Sequence, residues 1–183
     1  MTDFPLRPAR VAAEVLRDAW RCYRRHLVPI VGLSLVGAVE RPVMQYYGDV
    51  LPGWAVLVLE STVWGSRVLL LVLLFRWSIA TDDRLRGVGI GEGVRRVRRY
   101  ARRYPRPLLA QLAGLVAAVA VLDLLPDLLI APRVAPAYQA LYWSVLLAVK
   151  NPTVIAFAVV WELALLKQAL VRGAAEPAPT VAG

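Results

Sequence analysis

The fold is decided by the stretch from Arg84 to Arg106, which reads RLRGVGIGEGVRRVRRYARRYPR. It contains nine arginines and a single acidic residue, and it lies between two long apolar stretches. Dense positive charge between uncharged runs is typical of bilayer proteins, whose cytoplasmic loops collect Arg and Lys while their spans carry few charges. The alternation predicts an all-α, polytopic membrane protein with about four transmembrane helices and two amphipathic interfacial helices.

The composition supports the same class of protein. The chain is 58% hydrophobic over 183 residues and has a mean hydropathy of +0.55, whereas ordinary soluble domains are about 45–50% apolar. Its length suits one membrane domain over 1–173, followed by an Ala/Pro tail over 174–183 that we expect to be disordered. Because Cys22 and His26 are the only residues of their kinds, an intramolecular disulfide and a Cys/His metal cluster are excluded. We expect no metal and no cofactor.

Four apolar stretches are long enough to cross a bilayer, which requires about 20 residues per helix. We predict spans over about 27–47, 54–77, 107–130 and 137–166. The last is too long for one upright span, and Lys150-Asn151-Pro152 divides it near its middle. A tilted helix kinked at Pro152 and two half-helices that meet within the membrane both stay open.

Two amphipathic helices are predicted over about 10–26 and 90–104. In the first, apolar residues recur at spacings of three and four, at Ala12, Val15, Leu16, Ala19, Trp20 and Tyr23. In the second, the stripe consists of Ile90, Val94, Val97, Ala101 and Tyr104. We favour a position in the headgroup plane over docking on a protein core. The arginines expected to reach lipid phosphates are Arg21, Arg24, Arg25, Arg95, Arg96, Arg98, Arg99, Arg102 and Arg103.

The distribution of basic residues predicts the orientation. Six precede Leu27 and ten lie over 76–106, whereas Arg41 and Arg133 alone fall on the other side of the predicted spans. Both termini and the central loop are therefore expected in the cytoplasm, and the Arg-, Ala-, Val- and Leu-rich composition suggests a bacterial inner membrane. The pair Arg24-Arg25 before an apolar run also fits a twin-arginine signal, but the further spans favour a first transmembrane helix.

Charges in or near the apolar stretches are the main candidates for function, namely Glu60, Arg67, Asp123, Asp127, Lys150 and Glu162. A charge at the bilayer centre costs about 3 kcal/mol on insertion scales, so each should find a partner or water. From its expected depth in the membrane, Lys150 is predicted to lie near Glu60 or Asp123. As the role of these charges, we favour structural ion pairs over a polar pathway for an ion or solute. A small-residue stripe on the third span is expected to pack against neighbouring helices, at Ala110, Gly114 and Ala118.

The N-terminal segment, residues 11–40, resembles the integral membrane domain associated with glycerophosphoryl diester phosphodiesterases. That family often opens with an amphipathic helix of the form E-x-L-x-x-A-x-x-x-Y-R-R-x, which leads directly into the first span. The pattern is approximated here by Glu14, Leu16, Ala19, Tyr23, Arg24 and Arg25. The resemblance implies a polytopic membrane module without catalytic residues of its own.

Together these patterns predict a non-enzymatic integral membrane scaffold or an accessory subunit of a larger membrane complex. Its expected partners are anionic phospholipids and either further copies of the chain or other membrane subunits; nucleic acid is not expected. The alternative is a small transporter or channel with a polar pathway lined by Glu60, Arg67, Asp123 and Lys150. A membrane-embedded lipid enzyme comes third, because paired Asp123 and Asp127 alone are weak evidence for a divalent cation site.

Overall fold

The computed structural model describes residues 8–174, apart from the side chains of Pro8, Ala9 and Asp123. Nearly all of the predicted tail over 174–183 lies outside the described residues. Over 8–174 the chain forms helices and short turns without a strand, which confirms the predicted all-α class. The α-helices are α1 (Pro8–Arg25), α2 (Leu27–Tyr47), α3 (Gly53–Phe75), α4 (Ile90–Arg103), α5 (Pro105–Val119), α6 (Leu125–Leu129), α7 (Gln139–Lys150) and α8 (Ala156–Arg172).

Four helical segments within 8–174 are long and apolar enough to cross a membrane. They are Leu27–Tyr47, Gly53–Ala80, Pro105–Arg133 and Pro136–Arg172, called the first to fourth spans here. The predicted boundaries of the first span match, and the other three spans extend beyond theirs by up to six residues. The last three each contain a π-helical turn, Arg76–Ala80, Ala120–Leu124 and Asn151–Ile155.

The fourth span is one continuous helical segment of 37 residues, so it is not two half-helices. Pro152, whose ring cannot continue the α-helical hydrogen bonding, lies within the π turn, and the chain stays helical through it. The Tyr23 hydroxyl of α1 donates a hydrogen bond of 2.7 Å to the Pro152 carbonyl oxygen, which links α1 to this turn. At 1.5 Å per residue the segment is about 55 Å long, well beyond the hydrocarbon thickness of a bilayer.

This extra length is explained by two successive packing partners. The α7 half pairs with α2, whose Gly37 lies against Asn151. The α8 half pairs with α1, which runs antiparallel to it: the Gln168 side-chain amide donates to the Val11 carbonyl oxygen at 3.2 Å, and Tyr23 reaches the far end of α8. The first half of the fourth span therefore packs against α2, and its second half packs against α1.

The inner stripe of α1 is docked on protein. Val11, Val15, Ala19 and Tyr23 are buried, and α8 is their principal neighbour. The sequence favoured a position in the headgroup plane for this helix. The structure instead shows the alternative, in which the inner stripe is docked on a protein core. Of the remaining predicted apolar residues, Leu16 and Trp20 stay about half exposed on an adjacent face of the helix, with Trp20 stacked on Tyr23.

The buried face of α4 differs from the predicted stripe. Tyr100, which the stripe omits, is 1% exposed, whereas Ile90 and Val94 are exposed. α4 approaches the end of α8 closely here, because a Cβ atom at Gly173 would overlap the carbonyl group of Arg96. Val97 of the predicted stripe packs against the core, so the inner face of α4 includes both Val97 and Tyr100. The Tyr100 hydroxyl then donates to the Gln168 side-chain oxygen at 2.8 Å.

The packed interior is concentrated at the end of the molecule formed by α1, α4, α8 and residues 76–90, called the basic end. Its core also includes Leu70 and Leu74 of α3 and Ile30 of α2. The third span contrasts with it. Only 6% of its most apolar stretch is buried, compared with 11% for the second span and 22% for the first and fourth spans.

Candidate functional site

A buried ion pair joins the third and fourth spans. The Lys150 ammonium lies 2.9 Å from Asp127 Oδ1, and the two side chains are 4% and 34% exposed. Asp127 reaches this position because the helix continues through the Ala120–Leu124 π turn and Pro126 into α6. The sequence placed Lys150 near Glu60 or Asp123. Asp127 is its partner among the described side chains, Glu60 is exposed on α3, and the side chain of Asp123 lies outside the described part.

Three of the other predicted intramembrane charges, Glu60, Arg67 and Glu162, do not join this pair. Glu60 and Glu162 are exposed on α3 and α8. Arg67 is also exposed, and its guanidinium carbon lies 5.6 Å from the centre of the Trp64 ring, which is a cation–π distance. Among the described side chains, the structure therefore brings together only Asp127 and Lys150 of the six predicted residues.

A carboxylate that was absent from the predicted set is buried in the first span. Glu40 is 4% exposed, and its Oε2 atom lies 3.4 Å from Arg41 Nε without accepting a hydrogen bond from any described residue. Glu40 lies near the end of the predicted span over 27–47 and was not among the predicted intramembrane charges. The sequence feature that could have indicated a buried charge is the pair Glu40-Arg41, which interrupts an otherwise uncharged run.

A cleft of about 330 Å³ lies between α2, α3 and the π turn Asn151–Ile155. Its polar lining consists of Ser34, Ser66, Arg67 and Asn151, and hydrocarbon side chains form the rest. Asn151 is 8% exposed, and its carboxamide makes no hydrogen bond to another described residue. Gly37 lies beside the amide, since a Cβ atom there would be in ordinary van der Waals contact with Asn151 Nδ2 at 3.7 Å.

Gln111 connects the third span to the basic end. It is 3% exposed, its Nε2 atom donates to the Ala12 carbonyl oxygen at 2.6 Å, and its Oε1 atom accepts from Trp161 Nε1 at 2.6 Å. Trp161 also covers Gly114 of the predicted small-residue stripe, where a Cβ atom would lie 3.5 Å from the ring. Ala110 in the same stripe is exposed. Neutral amides in apolar runs are the signal that would have revealed both Gln111 and Asn151.

Three arginines of α4 donate hydrogen bonds to a single acidic residue, Glu92. Glu92 accepts hydrogen bonds from Arg95 at 2.9 Å, Arg96 at 3.1 Å and Arg99 at 2.8 Å. The Arg95 side chain, followed by Arg96, lowers the pKa of Glu92 below its ordinary value. The Arg96 side chain is only 19% exposed, which makes it the least accessible of these three. The other predicted headgroup residues that are exposed are Arg21, Arg24, Arg25, Arg98, Arg102 and Arg103.

Asp82 forms ion pairs that connect the turn after the second span to α8. Its carboxylate lies 2.8 Å from the Arg84 guanidinium and 3.1 Å from the Lys167 ammonium. The Arg84 side-chain hydrogen bond, with a further contribution from Lys167, holds the pKa of Asp82 well below its ordinary range. Nearby, the His26 ring stacks on Trp77 with 4.1 Å between ring centres, and burial lowers the pKa of His26, as does the charge of Arg25.

Among the described side chains of residues 10–174, which leave out Asp123, no three from His, Cys, Asp or Glu lie close enough to hold a metal ion. Comparisons with protein-family models, curated proteins and solved structures find no match to this chain. The resemblance of residues 11–40 to the phosphodiesterase-associated membrane domain therefore stays a prediction.

Proposed function

We propose that the chain is an integral membrane scaffold or an accessory subunit of a larger membrane complex. The observation that carries this proposal is the exposure of the third span, of whose most apolar stretch only 6% is buried. In the proposed arrangement the protein resides in a bacterial inner membrane, with both termini and the basic end in the cytoplasm.

The third span is attached at its two ends rather than along its length. Gln111 anchors one end to Ala12 and Trp161, and the Lys150–Asp127 pair anchors the other. Between them, apolar residues such as Val116 are largely exposed. Because lipid tails are as apolar as these side chains, helices in a bilayer associate through close packing and polar contacts. A span with so much free surface is suited to receive further helices.

The charges on α3 support the same proposal. Glu60 and Arg67 are exposed on a helix of 23 residues whose other residues are almost all apolar. An uncompensated charge at the bilayer centre costs about 3 kcal/mol on insertion scales. A polar group from another subunit or a lipid headgroup would lower that cost. The cationic surfaces of α1 and α4 would add attraction to anionic lipids, about 1 kcal/mol for each basic residue near the surface.

Cysteine cross-linking in native membranes tests the proposal. With Cys22 replaced by Ser, Val116→Cys places a thiol on the third span at a site that is 66% exposed, and Val39→Cys provides a control on α2 that is 63% exposed. We expect defined cross-linked products from position 116 and none from position 39. Purification in mild detergent then identifies the attached subunits or copies. A chain that stays monomeric by both methods would contradict the proposal.

The second candidate is a small transporter or channel, and the buried Lys150–Asp127 pair favours it. Flux into proteoliposomes tests it directly, with Lys150→Met as the decisive variant. Well-folded Lys150→Met protein without flux supports a transport pathway. Loss of folded protein, or a wild-type chain that conducts nothing, supports a structural ion pair instead.

A further inference from the structure

We propose that the cleft between α2, α3 and the Asn151–Ile155 π turn binds the anionic headgroup of a single-chain amphiphile. The headgroup is a carboxylate or a phosphate monoester, and its hydrocarbon tail extends into the bilayer. This inference does not depend on the subunit proposal, since the site is built within one chain.

The first argument is the unsatisfied polarity of the cleft. Asn151 is 8% exposed and lines the cleft, and its carboxamide has no hydrogen-bonding partner among the described residues. In hydrocarbon an amide without a partner is costly, so its donors and acceptor favour a polar occupant of the cleft. Ser34, on the facing helix, adds a hydroxyl group that likewise makes no hydrogen bond to a described side chain or carbonyl.

The second argument is the sign of the charge. Arg67 lines the cleft, and no described carboxylate lies within ion-pair distance of its guanidinium. The Trp64 ring, which it overlies at 5.6 Å, orients the group without neutralising it. A guanidinium has five donors in a planar fork that matches carboxylate and phosphate oxygens. The cleft therefore selects an anion over a cation or a neutral solute.

The third argument concerns the route into the cleft. Arg67 lies nine residues before Arg76, about 14 Å along the helix axis from that end of α3. The residues beside the cleft include Leu71 and Ile155, which are 49% and 43% exposed on the apolar surface of the spans. A free anion would have to cross hydrocarbon to reach this depth. An amphiphile delivers its headgroup there while its tail stays in the bilayer beside Leu71 and Ile155.

The π turn provides the local geometry for this site. Asn151 begins the turn, and Ile155 ends it, and both line the cleft. Extra residues inserted into an α-helix as a π turn redirect side chains and are frequent at functional sites. Gly37 of α2 lies opposite the turn, beside the Asn151 amide.

Quenching of tryptophan fluorescence in nanodiscs tests the proposal, because Trp64 lies beside Arg67. The probe is a dibrominated stearic acid at pH 8, and its matching alcohol is the neutral control. Subtraction of a Trp64→Phe variant isolates the signal of Trp64. We expect saturable quenching by the acid and an unsaturable signal from the alcohol. An unbrominated alkyl phosphate should displace the acid, whereas inorganic phosphate should not.

The variants localise the binding. Arg67→Met and Asn151→Leu should each weaken binding of the acid at least tenfold, and Ser34→Ala should weaken it several-fold. Glu60→Gln, which removes a charge from the same helix outside the cleft, should leave the affinity unchanged. Ligand-dependent thermal stabilisation of the wild type provides a second readout that needs no tryptophan. Should Arg67→Met fail to fold, Ser34→Ala and Asn151→Leu still decide the question.

Three results would overturn the proposal. Equal quenching by the acid and the alcohol would show partitioning into lipid without a headgroup site. Unchanged affinity in Arg67→Met or, if that variant fails to fold, in Asn151→Leu would place the binding elsewhere. Full displacement by inorganic phosphate would show that the cleft takes a free anion and that the tail contributes nothing.

Discussion

The basic end and the third span are both built from apolar helical surface, yet they are packed in opposite ways. At the basic end, Val15, Ala19, Leu74 and Val160 are at most 1% exposed. Along the third span, only 6% of the most apolar stretch is buried. The difference shows that apolar character alone does not determine where this chain packs tightly.

The proposed membrane arrangement accounts for the difference. In it, the arginine-bearing outer sides of the basic end face water, so that burial of its apolar stripes is driven by the hydrophobic effect. Within a bilayer this driving force between helices disappears, and close packing and polar contacts decide which helices meet. Gln111 and the Lys150–Asp127 pair provide such contacts for the third span at two points.

Substitution of a buried leucine gives the largest predicted contrast between the two regions. Leu74→Ala leaves a cavity at a residue that is 0% exposed, and we expect a loss of about 3 kcal/mol in unfolding free energy. Leu128→Ala, on the third span at 63% exposure, should cost less than about 1 kcal/mol, since lipid fills the space. Denaturant unfolding in detergent micelles measures both. Equal losses would show that the third span packs as tightly as the basic end.

The close approach of α4 to α8 predicts the next largest effect. In Gly173→Ala the added Cβ atom meets the backbone carbonyl of Arg96, so α4 must move, and we expect a cost of about 2 kcal/mol. Gly65→Ala on α3, where nothing lies within 4 Å of the new atom, is the matched control and should be neutral or slightly stabilising. Thermal unfolding compares the pair. A neutral result at Gly173 would show that α4 is loosely attached.

Gln111→Leu tests the anchor between the two regions. It leaves the Trp161 indole N–H and the Ala12 carbonyl without their hydrogen bonds, which costs about 1–2 kcal/mol. Because the third span has few other attachments, we expect amide hydrogen exchange to increase over 105–119. Gln139→Leu, at an exposed position on α7, is the control. Unaltered exchange in Gln111→Leu would mean that the span is held by other contacts.

The sequence predicts which segments are helical more reliably than it predicts which faces meet. The boundaries of the first span follow directly from an apolar run that ends in a turn. The buried Tyr100 could not be predicted, because the amphipathic period of α4 allows two neighbouring stripes and does not show which of them meets α8. The Lys150–Asp127 pair depends on helix rotation and relative depth, which periodicity does not give.

Asp82 yields the smallest predicted effect and a pH dependence with a defined sign. The folded pKa of Asp82 is depressed, chiefly by its hydrogen bond to the Arg84 side chain. Its contribution, about 1 kcal/mol, is therefore fully present above the unfolded pKa of about 4, begins to fall as the pH drops below that value and is lost completely only below the folded pKa. Wild type and Asp82→Asn should differ in thermal midpoint at pH 7, and the difference should narrow as the pH is lowered from 5 to 3.

The neighbouring Asp83 is the control for this last comparison, since its side chain is 83% exposed and pairs with an equally exposed Arg86. Asp83→Asn should shift the midpoint little at any pH, because exposed ion pairs contribute little and are screened by salt. A difference between wild type and Asp82→Asn that persists unchanged at pH 3 would show that a neutral Asp82 side chain holds the turn against α8. In that case the basic end would owe its attachment at this point to packing and not to charge.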